Sequence, residues 1–433
     1  MRWQATLDWL IAQKTGGRTQ NAGLQDLLRL GLYQIFWLDR IPDHAAVHET
    51  VELAKRNGYG SQSGFVNAVL RGYLREQDET RKLLADLKIS QPALGWSHPD
   101  WLVARWQKLW GAERTAESLE WNNTPPKTFA RVNTLRTDAT QLIKKWSEEK
   151  VDYDFKTFDW TGENLVFELK SHPPLALLGS FQQGWFYLQD PSTLLAVREL
   201  DPQPDEAILD LCSAPGGKAT YAAQLVNNQA RIVAEDVSPE RLKLVQENCT
   251  RLGVTCVKAE VSDLARPHPD PLPQEREQLL SVPGFSASGP ANPAPSSSEA
   301  RRTNLPFPGG EGRGEGDRKH TPSTSHFDKI LLDAPCSNTG VMRRRADLRW
   351  RIRPEEIERL RATQLDLLHQ AAARLKPSGT LIYSTCSLEP QENREVVSEF
   401  LAAHPGFRQD YERMLTPFEN GVDGAFVSRL RRV

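Results

Sequence analysis

The chain has 433 residues, 39% of them hydrophobic and 25% charged, with a formal net charge of −2. That length exceeds one ordinary core and predicts two or three domains. No run of about 18 apolar residues occurs, so no membrane span is expected, and the near-neutral charge excludes binding of nucleic acid through an overall basic field, leaving only a local patch. The opening Met1-Arg2-Trp3-Gln4 has no apolar signal core, which predicts a cytoplasmic protein. The five cysteines, Cys212, Cys249, Cys256, Cys336 and Cys386, form no CxxC pair, which argues against zinc. Their odd number in a cytosolic setting argues for free thiols.

Residues 1–85 read as helical. Leu24, Leu27, Leu28, Leu30, Leu32 and Ile35 crowd one segment, with Tyr33, Phe36 and Trp37 among them. Ile41-Pro42-Asp43 is a break, and Asp43 or His44 opens a helix whose apolar face carries Val47, Val51, Leu53 and Ala54. Phe65, Val66, Ala68, Val69, Leu70 and Tyr73 make a third face. The basic Lys55, Arg56, Arg71 and Arg75 read as solvated by default, with RNA contact as the alternative. Residues 90–200 read as an α+β connecting region. His98-Pro99-Asp100 opens a helix, 129–135 is a strand, and 185–189 is a strand before the turn at Asp190-Pro191. Asp190 or Ser192 caps the helix over Leu194, Leu195, Val197 and Leu200, which makes Asp190 a structural acid rather than a catalytic one.

From residue 205 the pattern becomes strand–helix–strand, which predicts a doubly wound α/β sheet. Residues 207–211 form its first strand. Cys212-Ser213-Ala214-Pro215-Gly216-Gly217-Lys218 is a tight turn into a helix over 220–225, and its glycines let backbone approach a ligand closely. It is neither a dinucleotide turn nor a P-loop. The next strand, 231–234, ends at Glu235-Asp236, where an acid grips ribose hydroxyls in such folds. Ser238 at N-cap, Pro239 in the first turn and Gly253 as stop bound a helix with Leu242, Val245, Cys249 and Leu252 on one face. Cys249 is therefore a core residue, and Cys256 a buried strand residue. Pro, Gly, Ser and charged residues dominate 265–325, which predicts a disordered insertion.

Order resumes at Phe327. The apolar run 329–332 leads into Asp333-Ala334-Pro335-Cys336-Ser337-Asn338-Thr339-Gly340, and in open α/β sheets ligands bind just beyond the carboxyl ends of strands. Arg343, Arg344, Arg345, Arg349, Arg351 and Arg353 surround Trp350, a set suited to phosphate contact and base stacking; proximity to Cys336 favours RNA over a solvated surface. A helix over 355–375 ends at Pro377-Ser378-Gly379. A β-rich run then reaches Thr385-Cys386-Ser387, a helix carries Val396, Val397, Phe400 and Leu401, and the tail over 423–430 reads as a turn and an edge strand.

Three N-terminal stretches, 28–34, 45–52 and 64–71, resemble the NusB-like RNA-binding domain that precedes a ribosomal RNA methyltransferase domain. That family domain has more helix before this point, so either a shortened N-terminus or a true start further upstream is expected. The turns at 212–218, 333–340 and 385–387 jointly resemble those of S-adenosylmethionine-dependent RNA cytosine-C5 methyltransferases. With the N-terminal match, the chain resembles the RsmB (Sun, Fmu) family of 16S rRNA cytosine-C5 methyltransferases over nearly everything but the insertion. The resemblance implies an all-α NusB-like domain (1–85), an α+β connecting region (90–200) and a Rossmann-like α/β catalytic domain (201–433) interrupted by 265–325. It also implies S-adenosyl-L-methionine as cofactor, no metal, and a monomer whose partner is RNA, namely 16S rRNA at cytosine 967.

Cytosine C5 is a poor nucleophile. Attack of a thiolate on C6 makes C5 enamine-like, so that it can take a methyl from a sulfonium, and covalent catalysis thereby splits one hard step into easier ones. By the resemblance, Cys386 is the nucleophile, Cys336 assists product release, and Asp333 faces the transferring methyl or the cytosine edge. Cys212, Ser213, Ala214, Pro215, Gly216, Gly217 and Lys218 cradle the cofactor's amino-acid part, Asp236 holds its ribose, and Glu260 stands beside the adenine, with Asp263 as its competitor. Lys218 has a second reading, as structural partner of a nearby acid. A lone strand-end cysteine reads as buried and inert; two in their matching contexts do not. DNA cytosine methyltransferases use the Pro-Cys thiol and lack the second, which argues against DNA. A tRNA cytosine-C5 methyltransferase and a degenerate RNA-binding protein stay open as alternatives.

Overall fold

In the computed structural model, which describes residues 1–262 and 326–433, the chain opens with helices Gln4–Thr15, Ala22–Trp37, Asp43–Arg56, Ser63–Arg75 and Gln77–Ser90. The insertion expected at 265–325, and Asp263, lie outside the described residues. Apolar side chains at helical spacing bury one another: Leu10, Leu28, Leu32, Ala54, Val66 and Leu70 are fully covered. Each such large side chain contributes about 1.5–3 kcal/mol relative to an exposed one. Leu30 and Leu53 are instead exposed, because each lies two residues from Leu28 or Val51 and a step of two turns about 200° round a helix. Asn21 caps the second helix by accepting the Leu24 N–H at 2.9 Å. Leu84 and Leu87 join the same apolar cluster, so helix Gln77–Ser90 runs on through residue 85, where the sequence reading ended the domain.

Helix Asp100–Asn123 leads into an antiparallel sheet of β1 (Thr128–Val132), β2 (Asp152–Lys156), β3 (Val166–Ser171) and β4 (Phe186–Leu188), ordered β2-β3-β1-β4. Helix Ala139–Glu149 covers one face through Leu142 and Trp146. The other face joins the main core, where Phe129, Val166 and Tyr187 pack in one cluster with Leu194, Ile208 and Leu331. Arg131, on that face, is buried between the rings of Tyr187 and Tyr221 and donates to the carbonyl of Gly217 at 3.0 Å. The small sheet is thereby fastened to the first turn of helix Gly217–Leu225.

The large sheet contains β5 (Ala207–Leu211), β6 (Arg231–Asp236), β7 (Val257–Val261), β8 (Phe327–Asp333), β9 (Leu375–Thr385), β10 (Phe407–Leu415) and β11 (Ala425–Arg432), ordered β10-β11-β9-β8-β5-β6-β7. β9, β8, β5, β6 and β7 run parallel. β5 is buried along its whole length, as a near-continuous apolar run in a covered parallel sheet should be. The chain leaves β5 for β6 and β7 on one side and returns to β8 on the other. That reversal opens a crevice beyond the carboxyl ends of β5 and β8, where the Cys212 and Pro335 turns emerge.

The tail is not an edge strand. β11 pairs antiparallel with β9 on one side and β10 on the other, and Phe426 and Leu430 are fully covered. β10 is the edge, and no apolar alternation announces it: Arg408, Gln409, Asp410, Glu412 and Arg413 hide its period, and Asp410 holds it to β11 through Arg429 (2.7 Å) and Arg431. Among the described residues, no helix is long and apolar enough to cross a membrane.

Candidate active site

β8 and β9 pair in register, Asp333 against Ser384, so the turns that follow them lie side by side. The Sγ atoms of Cys336 and Cys386 are 3.1 Å apart. Cys386 Sγ donates to Asn338 Oδ1 at 3.0 Å, and Asn338 Nδ2 donates to the carbonyl of Cys336 at 2.7 Å. Asn338 sits at φ 59°, a left-handed conformation that Asn tolerates better than most residues. Cys336 is buried and Cys386 half-buried. Burial pushes the Cys336 thiol well up, with the hydrogen bond and charge of Cys386 and the charge of Glu392 adding to it, so Cys336 is held as a thiol.

Gly340 closes the turn. Its N–H donates to the carbonyl of Cys386 at 2.9 Å, and its own carbonyl accepts the Gly424 N–H at 2.9 Å. A Cβ on Gly340 would stand 2.7 Å from the Cys386 oxygen and 2.8 Å from Gly424 Cα. Gly340→Ala is therefore expected to cost about 1–3 kcal/mol by overpacking and to shift the Cys386 turn; a lower urea midpoint, with Gly406→Ala as the unhindered control, checks it.

Asp333 spans the crevice. Its Oδ2 accepts from Lys218 Nζ at 2.5 Å and its Oδ1 from Ser384 Oγ at 2.9 Å. Burial works against the Lys218 ammonium, but the charge and hydrogen bond of Asp333 outweigh it and raise the lysine's pKa. The two readings of Lys218 thus coincide, since its structural partner is the candidate catalytic acid.

The loop after β5 turns sharply, with Cys212 at φ 58° and Gly216 at φ 94°. Ser213 N–H donates to the carbonyl of Glu235 at 2.9 Å, and its Oγ donates to Asp210 Oδ2 at 2.6 Å. Burial pushes the Cys212 thiol up and leaves it inert. Asp236 accepts the N–H groups of Ala214 (3.3 Å) and Ser238 (3.1 Å) and pairs with Arg241 at 3.4 Å. Its side chain is 1% exposed, and through these bonds it organises the loop.

Burial drives Asp210 up to about 7, while its bond with Ser213 pulls the other way. The folded protein then holds this proton more tightly than the unfolded chain, where the carboxyl titrates near 4. The group is neutral in both states at low pH; as pH rises from about 4 to about 7 the unfolded chain releases this proton first and stability falls, levelling off once the folded carboxyl ionises as well. Asp210→Asn keeps the Ser213 bond and removes that charge. The variant is expected to gain on the wild type in urea midpoint at pH 8, with a smaller gain at pH 5.

Several sequence-predicted residues lie elsewhere. Glu260 pairs in register with Glu235, so strand alternation puts it on the face opposite Asp236, where its carboxylate meets Lys258 at 2.7 Å. It is not brought to the crevice. The arginine set is also largely structural. Arg343 is buried against the ring of Trp121 (3.8 Å), and Arg344 pairs with Asp190 at 2.9 Å and with Asp423. Arg349 is fully covered and donates to the carbonyls of Arg2 (3.1 Å), Ser97 (3.3 Å) and Asn122 (3.0 Å). Arg353 keeps its exposure. Arginines that follow a turn were indistinguishable in sequence from a phosphate patch, because their partners come from residues 79 to 347 positions away. Asp190 is a structural acid, as its turn predicts. Cys249 is in the core, whereas Cys256 precedes β7 and is half-buried. Asn338, though inside the 333–340 turn, and Ser384, Glu392 and Asn393 were given no role by the sequence reading, since nothing in their spacing marks a side chain that reaches across two loops.

The model for the family described as 16S rRNA methyltransferase RsmB/F matches residues 197–284 and 314–431. The NusB family matches 1–75, and the ferredoxin-like domain of RsmF/B-like methyltransferases matches 98–161. The probable ribosomal RNA small subunit methyltransferase B of Bacillus subtilis is 32% identical over 423 residues, spanning 94% of this chain and 82% of that protein. Among solved structures, a methyltransferase homolog protein from Pyrococcus horikoshii is similar with a TM-score of 0.57 and 26% identity, over 79% of this chain and 97% of its own. NSun6 from the same organism, solved with SFG, has a TM-score of 0.56 at 21% identity, over 77% and 98%.

Proposed function

Because the chain belongs to the RsmB/F family of 16S rRNA methyltransferases, it is an S-adenosylmethionine-dependent rRNA methyltransferase, and we propose that it methylates C5 of one cytosine of 16S rRNA, cytosine 967, through a covalent bond between Cys386 Sγ and C6. The observation that carries this reading is the pair of thiols 3.1 Å apart at neighbouring strand ends, next to the Lys218–Asp333 bridge.

The residues fit the cofactor in chemistry. The Cys212–Gly217 loop follows β5 in a sharp turn, and Lys218 with Asp333 offers a cation and an anion to an amino acid's two charged ends. When bound, S-adenosylmethionine supplies an electrophilic methyl group on a sulfonium. Cys386 Sγ adds to C6 of the cytosine, which breaks the C5–C6 double bond and directs electron density to C5. After C5 has gained its methyl, loss of the C5 proton to a base and departure of Sγ restore the ring. Cys336, held as a thiol by burial, gives its proton to Cys386 Sγ as that sulfur leaves, and the base that took the C5 proton returns one to Cys336. Asp333, kept in place by Ser384 and Lys218, faces the cytosine edge or the methyl. The NusB-like helices and the small antiparallel sheet supply the wider RNA contact. The same reading carries a cytoplasmic location, where 16S rRNA is made, and a single-chain enzyme.

Transfer of labelled methyl to unmodified 16S rRNA, tRNA and duplex DNA, with the site mapped, tests it. Label in one cytosine of 16S rRNA is expected. Label confined to tRNA would keep the chemistry and replace the substrate. No label, together with no cofactor binding in a titration, would leave a non-catalytic RNA-binding protein.

A further inference from the structure

One fully buried acid has no part in the scheme above. Glu392 ends the turn Pro390–Glu392, a few residues beyond Cys386, and has no exposed surface. Its Oε1 accepts the backbone N–H of Ser337 at 2.8 Å and Gln364 Nε2 at 3.0 Å. Its Oε2 accepts Ser387 Oγ at 2.5 Å and also the hydroxyl of Ser337. Gln364 Nε2 in turn donates to the carbonyl of Pro335 at 2.8 Å. The residue that follows each thiol is therefore bound to one carboxylate. Asn393 encloses the same turn, accepting Thr385 Oγ1 at 2.6 Å and donating to the carbonyl of Ser387 at 2.9 Å. Burial holds the Glu392 carboxyl above its usual range, and the serine bonds pull it back. A carboxylate so enclosed is costly, and apolar residues would fill the space at lower cost. What it supplies that they could not is a single rigid point to which both thiol-bearing turns are tied.

We propose that Glu392 is a positioning residue for the reaction: by binding Ser337 and Ser387 at once it sets the gap between Cys336 and Cys386 at which adduct formation and adduct release can both occur. The proposal rests on the reading that both thiols act. A misplacement of about 1 Å at a reacting centre costs on the order of a hundredfold in rate, so the gap has kinetic weight.

Two readouts on the full chain test it. The first needs no substrate. Diamide takes two electrons and two protons from a pair of thiols whose sulfurs meet, becoming a hydrazine while the disulfide forms. Wild-type protein is expected to form the Cys336–Cys386 disulfide, mapped by peptide mass. Glu392→Ala is expected to form it at least about tenfold more slowly. Glu392→Gln, whose oxygen serves the N–H donors while its NH2 turns to the serine oxygens, should stay within about threefold of wild type. The second readout is turnover. Glu392→Ala is expected to lose kcat about a hundredfold with KM for RNA little changed, and to accumulate an enzyme–RNA adduct that survives denaturation. A folded Glu392→Ala with unchanged disulfide rate would overturn the proposal, whether or not kcat falls. If circular dichroism shows that Glu392→Ala does not fold, Ser387→Ala removes the tie on the Cys386 side alone: a slowed disulfide supports the proposal and an unchanged rate overturns it. Wild-type protein that oxidises as expected yet methylates no RNA would sink the functional reading and the role of Glu392 with it; normal turnover with an unmoved gap would sink the role of Glu392 alone.

Discussion

Cys386→Ala is expected to abolish methyl transfer to RNA, by at least about a thousandfold, because it removes the proposed nucleophile and the neighbouring Cys336 is held as a thiol by burial. The fold should survive. Cys386 is half-buried, and its backbone carbonyl, which receives Gly340 N–H, is untouched by the change. The side-chain interactions lost are the contact with Cys336 Sγ and the hydrogen bond to Asn338, worth on the order of 1 kcal/mol. Cofactor binding should also survive, since the Cys212–Lys218 loop lies across the crevice on β5. The check is labelled methyl transfer together with a cofactor titration and circular dichroism on one preparation. Full transfer in that variant would end the Cys386 mechanism, and loss of cofactor binding would mean that the substitution had disturbed more than the nucleophile.

Cys336→Ala is expected to give the opposite phenotype: addition without efficient release. Cys386 keeps its thiol and its bond to Asn338, so the covalent bond to C6 can still form. The thiol 3.1 Å away, to which the proposed scheme assigns protonation of the leaving sulfur, is gone. Turnover should fall towards one event per enzyme, and labelled RNA should remain attached to the protein after denaturation with detergent. Cys336→Ala/Cys386→Ala should show no attachment, which ties the adduct to Cys386. Methylation by Cys336→Ala without any adduct would count against the release role. Cys336 is buried, so a modest loss of stability accompanies the change, and working well below the unfolding temperature separates it from the kinetic effect.

Local sequence patterns carried much of the fold. β5 occupies 207–211 and β8 begins at Phe327, as the apolar runs indicate. Helix Pro239–Leu252 starts at its Ser238 cap and stops at Gly253. Such elements are readable because the signal, a cap, a stop or an unbroken apolar run, sits within a few residues. β10 was not readable, because its charged residues follow the needs of a pairing with β11 rather than a two-residue apolar period. Leu30 and Leu53 show the same limit inside helices, where the direction of a leucine depends on its phase and not on its type.

The sequence by itself determined which chemical groups are present and where their turns fall: two thiols after two strands, Asp333 at the end of the first, and a Gly-rich turn upstream. Those features are local, and each turn is specified by the residues within it. Only the tertiary structure decided which of those groups meet. Parallel pairing of β8 with β9 set the thiols 3.1 Å apart, and the reversal at β5 and β8 brought Lys218 to Asp333. Strand alternation sent Glu260 to the far face, and distant backbone carbonyls absorbed Arg349. The physical reason is common to all four: which face a side chain takes, and what lies opposite it, are fixed by strand register and packing between residues far apart in the chain, and no window of sequence contains both partners.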